Sequence, residues 1–154
     1  MEKITVQSPS FFNGQGIPAK HTCKGGNTSP AVSWKGLPRD AKYLILICDD
    51  PDAPSGDWVH WVAYNIPAKI SAFEEAVPSK AKLENGALQG INDFGRPGYG
   101  GPCPPSGEHR YFFRVYALES ALDIEPADAT KEAVLSAAEG ITIGYGELMG
   151  TFRK

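Results

Sequence analysis

The sequence has no basic run. Its 15 lysines and arginines are outnumbered by 18 aspartates and glutamates, for a net charge of −3. That balance argues against nucleic acid as a partner. It also lacks any stretch approaching the roughly 18 apolar residues of a membrane-spanning helix, so no membrane span is expected. The opening MEKITVQSPSFF has neither a basic n-region nor an apolar h-region, so it is not a secretory signal and the default location is cytoplasmic. Cysteine is scarce: only Cys23, Cys48 and Cys103 are present. Odd in number and widely spaced, they form neither a CxxC pair nor a disulfide framework. Cys48 reads as a core residue, whereas Cys103 lies in a glycine–proline loop where a chemical role stays open.

Glycine and proline, in contrast, are plentiful, at 17 and 13 residues. They are scattered rather than periodic, which implies many turns and a loop-rich β protein. A length of 154 residues suits one domain, residues 1–154, with a real core. Alternation predicts a first strand over Glu2–Gln7, and Pro18–Thr22 reads as a short extended segment. Ser29–Trp34 reads as a strand anchored by Trp34. Tyr43–Cys48 is a continuous apolar run, the pattern of a strand buried on both faces. Trp58–Ile66 is aromatic and β-branched, with His60 in its middle. Ala68–Glu84 is weakly patterned and allows short helical turns, and Gly86–Ile91 suits a short strand. Val134, Ala137, Ala138 and Ile141 form one stripe at helical spacing, predicting a helix over Asp128–Glu139 with Gly140 as its stop. Gly140–Phe152 returns to a strand-like mix.

The chain is organised around Tyr99–Leu118. Its first half, Tyr99–Glu108, holds three glycines and three prolines and must be a shaped loop. Its second half, Tyr111–Leu118, reads as a strongly apolar strand. His109 and Arg110 sit at the joint, where a rigid loop can hold a polar side chain at a cleft mouth. A second cluster, Asp49-Asp50-Pro51-Asp52, follows the apolar run, and His60 sits on the next strand. An aspartate beside a histidine fixes its tautomer and raises its pKa.

Three chemistries are open to these residues. A metal site would draw on His60, His109, Asp50 and Cys103, but no pair shows the usual ligand spacing. A hydrolase would use Cys103 or Ser106 with His109, but no nucleophile elbow is present. A preformed pocket for a phosphate- or carboxylate-bearing group fits the residue types best. Histidines and loop N–H groups would hold the anion, and an aspartate would meet a cation on the same ligand.

Two long motifs carry a family resemblance. One is Asp50-Pro51-Asp52-Ala53-Pro54 followed by Trp58-Val59-His60-Trp61. The other is Gly100-Gly101-Pro102 followed by Gly107-Glu108-His109-Arg110-Tyr111. With a weaker match at Ser29-Pro30, Trp34 and Pro38, the chain resembles the phosphatidylethanolamine-binding protein family, in its bacterial and archaeal Raf kinase inhibitor-like branch. The resemblance implies a mainly β fold, a β-sandwich of antiparallel sheets with a short C-terminal helix. It implies a pocket at Asp50, Asp52, His60, Gly101, Pro102, His109 and Tyr111 for phosphate, acetate or a phosphoethanolamine-like head group, with no cofactor. It also implies a homodimer and a protein partner of the kinase or protease kind. Val59 and the short Cys103-Pro104-Pro105 loop depart from the eukaryotic pattern. The reading that follows is a non-enzymatic binder in which His60 and His109 donate to the anion and Asp50 orients a histidine. Asp52 would steady the loop or meet a ligand ammonium, Gly101 would allow close backbone approach, and Tyr111 would offer a wall or a hydroxyl. Arg110 is expected to turn toward Asp50 as a structural ion pair. A hydrolase or metalloenzyme in the same pocket is the alternative.

Overall fold

Two sheets share one apolar layer in the computed structural model, which describes residues 1–154. Nine strands form: β1 (Glu2–Lys3), β2 (Thr5–Gln7), β3 (Val32–Lys35), β4 (Tyr43–Asp50), β5 (Trp58–Pro67), β6 (Ala72–Phe73), β7 (Leu88–Gln89), β8 (Glu108–Leu118) and β9 (Thr142–Arg153). The larger sheet runs β1-β9-β8-β4-β5-β7 and the smaller β2-β3-β6. All neighbours are antiparallel except β1 and β9. The single helix, α1 (Lys131–Ala137), covers the outer face of the larger sheet. The fold is the expected β-sandwich with a short C-terminal helix.

Strand β4 shows why its apolar run is unbroken. Leu44, Leu46 and Cys48 point into the layer between the sheets, where they meet Val32, Trp34 and Phe113. Ile45 and Ile47 point the other way, into a second core with Val134 and Ala138 of α1. A central strand covered on both sides loses the period of two that marks a half-exposed strand. On β8 the inward set is Tyr111, Phe113, Val115 and Ala117, and His109 continues it toward the strand's start.

Several expected elements differ. The strand over Glu2–Gln7 is divided between the two sheets at Ile4, whose N–H donates to the Tyr145 carbonyl at 2.8 Å. Gly146 permits this crossing, since a Cβ there would lie 1.9 Å from the Ile4 carbonyl oxygen. Pro18–Thr22 is not extended: Ala19–His21 forms a 3₁₀ turn. The strand expected at Ser29–Trp34 begins later, at Val32. No helix forms in Ala68–Glu84, which instead contributes β6. Helix α1 starts at Lys131 rather than Asp128, because Pro126–Asp128 is a 3₁₀ turn and Thr130 is the cap, its hydroxyl accepting from the Ala133 N–H.

The cysteine reading is overturned. Cys23 and Cys103 form a disulfide across a sequence separation of 80, with Cα atoms 5.4 Å apart, and only Cys48 is free. Two surface loops meet there in space, which spacing along the chain does not reveal. Both cysteines are exposed. Such bonds belong to oxidising compartments and to intracellular proteins of hyperthermophiles, so this pair bears directly on the expected cytoplasmic location. No helix is long and apolar enough to cross a membrane.

Candidate functional site

At the C-terminal end of β4 two adjacent aspartates point to opposite faces. Asp49 faces α1, where its carboxylate accepts from Arg114 Nε at 2.9 Å and Lys131 Nζ at 2.8 Å. Lys131 also reaches Asp57 at 2.6 Å, tying the helix to the loop that leads into β5. Asp50 faces the other way and accepts from His109 Nδ1 at 2.6 Å, with both side chains buried. Its second oxygen accepts from the Asp52 backbone N–H at 2.8 Å, which fixes the turn after Pro51.

Asp50, His60, His109 and Tyr111 converge on a cavity of ≈ 280 Å³. Trp58 and Phe94 form an aromatic wall, their rings edge-to-face at 5.6 Å. Ala53, Pro54, Ser55, Cys103, Pro104 and Pro105 make the rest of the lining. No lysine or arginine lines it.

His60 comes from β5 and is 3% exposed. Its Nδ1 lies 2.6 Å from the Gly100 carbonyl oxygen, and its own carbonyl accepts from the Gly100 N–H at 2.9 Å. A carbonyl only accepts, so Nδ1 carries the proton. The remaining ring nitrogen, Nε2, is left for the cavity. Burial pushes the His60 pKa down, against weaker upward pulls from the Gly100 hydrogen bond and nearby aspartates. His60 was expected to donate to an anion alongside His109. Its one proton as a neutral ring is instead committed to Gly100, so Nε2 presents a lone pair. Asp50 likewise holds the His109 proton on Nδ1.

The Tyr111 hydroxyl is buried without a hydrogen-bond partner. Leaving such a group unpaired costs roughly 1–3 kcal/mol. Burial also pushes the Tyr111 phenol pKa up, so the hydroxyl keeps its proton.

Three expected site residues, Asp52, Gly101 and Pro102, are not in the cavity lining. Asp52 takes Arg110 Nε and Nη2 at 2.9 Å each, and also the Arg110 backbone N–H. The Arg110 guanidinium holds the Asp52 carboxyl down to about 2. Arg110 therefore pairs outward with Asp52, not inward with Asp50 as expected, because the alternation of β8 sends it away from His109 and Tyr111. Gly101 donates its N–H to Asn27 Oδ1 at 2.7 Å, and a Cβ there would lie 2.2 Å from the His21 carbonyl oxygen. The close approach expected of Gly101 is thus to the chain's own loop. Pro102 accepts from the Cys23 N–H at 3.1 Å. Together these contacts dock the glycine-rich loop that carries the cavity rim.

Sequence reasoning missed Trp58 and Phe94 as cavity walls. Trp58 opens β5 within the Trp58-Val59-His60-Trp61 motif, and its place in the wall depends on Phe94, which comes from a distant loop. Phe94 is a lone aromatic in a polar glycine loop, 40% exposed, and that isolation was the available signal. Of the hydrolase set, Cys103 holds no free thiol here. No group of three or more His, Cys, Asp or Glu side chains is arranged to hold a metal ion.

A β-sandwich with a preformed cavity at the end of its central strands defines a small-ligand-binding protein. The chain belongs to the phosphatidylethanolamine-binding protein family, whose model matches residues 7–153. A UPF0098 protein of Methanothermobacter thermautotrophicus is 56% identical over 93% of this chain and 95% of its own. Another from Archaeoglobus fulgidus is 44% identical over 99% of this chain but only 52% of its own. The crystal structure of a homologue of the family from Chlamydia trachomatis superposes with a TM-score of 0.90 at 40% identity, covering 100% and 99% of the two chains. Escherichia coli YbcL, described as a member of the mammalian family, gives a TM-score of 0.89 at 33% identity, covering 98% of each chain.

Proposed function

We propose that the protein is a non-enzymatic binder of a small phosphate- or carboxylate-bearing group, held in the cavity between Asp50, His60, His109 and Tyr111. The observation that carries this is the Tyr111 hydroxyl, buried and unpartnered in the cavity wall. A donor kept in that state in an otherwise well-paired core is explained by a ligand acceptor. His109 supports the same reading. When its ring takes a second proton, Asp50 balances the charge and Nε2 becomes a donor to the anion. Trp58 and Phe94 would cover whatever the anionic group is attached to.

The test is a titration with inorganic phosphate and with phosphoethanolamine, following the His60, His109 and Tyr111 ring signals by NMR. Saturable shifts of His109 and Tyr111 are expected, and Tyr111→Phe weakens binding by about tenfold with the fold intact. If no ring responds to either compound, the anion reading is wrong.

A further inference from the structure

We propose that the cavity selects oxyanions that carry a proton of their own, such as a phosphate monoester monoanion, over those that carry none, such as sulfate or a phosphate diester. This rests on the anion-binding reading above and adds the hydrogen-bonding code of the same site.

The code follows from the partners of the two histidines. His60 Nδ1 is committed to the Gly100 carbonyl and His109 Nδ1 to the Asp50 carboxylate. Each neutral ring then presents Nε2 to the cavity as an acceptor. On His109 the charge of a second proton would be balanced by Asp50, 2.6 Å from Nδ1, and would make Nε2 a donor. His60 has no such partner. It is packed edge-to-face against Phe94 at 5.5 Å and Tyr111 at 5.3 Å, and its Nδ1 partner is a neutral carbonyl. Asp50, Asp49 and Asp93 act on it only through space. His60 Nε2 thus remains a lone pair, and only a ligand that donates can satisfy it.

Charge points the same way. Asp50 is the one carboxylate in the lining, and no lysine or arginine is there to balance a dianion. Arg110, one residue from His109, is turned away to Asp52. An oxyanion that brings a proton both lowers its own charge and supplies the donor. Tyr111 and a protonated His109 then donate to its remaining oxygens, so the site offers two donors and one acceptor. Sulfate has four acceptors and no donor. Placing it in the cavity sets an oxygen lone pair against the His60 lone pair.

Four probes separate the possibilities: methyl phosphate, inorganic phosphate, sulfate and dimethyl phosphate, each titrated near pH 6 at constant ionic strength. Near that pH about half of a phosphate monoester still carries its last proton. Methyl phosphate and inorganic phosphate are expected to saturate the His109 and Tyr111 signals. Sulfate and dimethyl phosphate should bind at least about tenfold more weakly, the effect of one buried polar group left unpaired. In the methyl phosphate complex the His60 Nε2 nitrogen should keep the shift of an unprotonated ring nitrogen. Sulfate or dimethyl phosphate binding as tightly as methyl phosphate overturns the inference while leaving anion binding in place. Protonation of His60 Nε2 in the complex does the same. Binding of none of the four overturns both.

Discussion

Removing the Cys23–Cys103 bond should separate stability from binding. The bond closes a loop with a sequence separation of 80. The chain-entropy relation gives about 4.5 kcal/mol for a loop of that length, and measured values are commonly about 2–4 kcal/mol. The two loops it joins are held in other ways as well. Tyr99 Oη donates to the His21 carbonyl at 2.6 Å, Gly101 N–H to Asn27 Oδ1 at 2.7 Å, and Cys23 N–H to the Pro102 carbonyl at 3.1 Å. Those bonds preserve the native geometry when the sulfurs part, but they do nothing to restrict the unfolded chain. The double variant Cys23→Ser, Cys103→Ser should therefore lose about 2–4 kcal/mol. In urea that is a fall in midpoint of roughly 1–2 M, at the slope usual for a small domain. Phosphate affinity should change by no more than about threefold, because the groups that meet the anion sit on β4, β5 and β8 rather than on the bridged loops. Urea unfolding followed by tryptophan fluorescence and a phosphate titration on the same sample read both quantities. A midpoint within about 0.3 M of the parent would refute the entropy argument. An intact midpoint with lost affinity would show instead that the bond builds the cavity.

Other substitutions probe the remaining supports. Gly101→Ala places a Cβ 2.2 Å from the His21 carbonyl oxygen and 2.6 Å from Asn27 Oδ1. Backbone must move, so a loss of about 1–3 kcal/mol is expected in thermal unfolding, together with weaker phosphate binding as the rim shifts. Asp49→Asn leaves Lys131 and Arg114, each 21% exposed at the side chain, without their buried shared carboxylate. Asp57 and Glu147 still serve them, so the expected loss is about 2–3 kcal/mol by urea unfolding, short of a fully isolated buried charge. His60 gives stability a pH dependence of known sign. Its folded pKa lies below its ordinary value of 6.5, so the unfolded chain binds more protons there. Its contribution is complete above pH 6.5 and is lost as pH falls toward the folded value. Urea midpoints measured downward from pH 7.5 should decline less steeply in His60→Gln than in the parent.

Much of this was visible in the residues, and what was hidden has a common cause. The run Tyr43–Cys48 announced a strand covered on both faces, and the two cores on either side of β4 are the reason. The motifs around Asp50 and His109 pointed to a pocket, and a 2.6 Å contact joins those two side chains. Partners were not visible. Asp49 and Asp50 read as one acidic cluster, yet strand alternation sends one to α1 and the other to His109. Arg110 read as a partner for Asp50, and the same alternation on β8 sends it to Asp52. The disulfide joins residues whose loops approach only in the finished fold. In each case the missing information was which face or which loop, which the chain encodes through register rather than local composition.

His60 shows register at work most directly. Across β4 and β5, Cys48 pairs with Trp61 and Asp49 with Val59, so His60 is an extra residue with no partner on β4. The consequence is visible on either side of it. Val59 belongs to the core beneath α1 and Trp61 to the core between the sheets, although residues two apart on a regular strand share a face. A β-bulge does this: it inserts one residue, shifts the alternation and turns one side chain out of the ladder. The carbonyl freed from β4 accepts from Gly100, and the His60 ring returns a hydrogen bond to the Gly100 carbonyl. The bulge thereby supplies both the attachment point of the glycine-rich loop and the imidazole tautomer that faces the cavity. Deleting it would do more than remove a polar group. A regular β5 would put Val59 and Trp61 on one face, set one of them against the wrong core, and leave Gly100 without its strand partner. The bulge is therefore where the packing of both cores and the hydrogen-bonding character of the cavity are decided together.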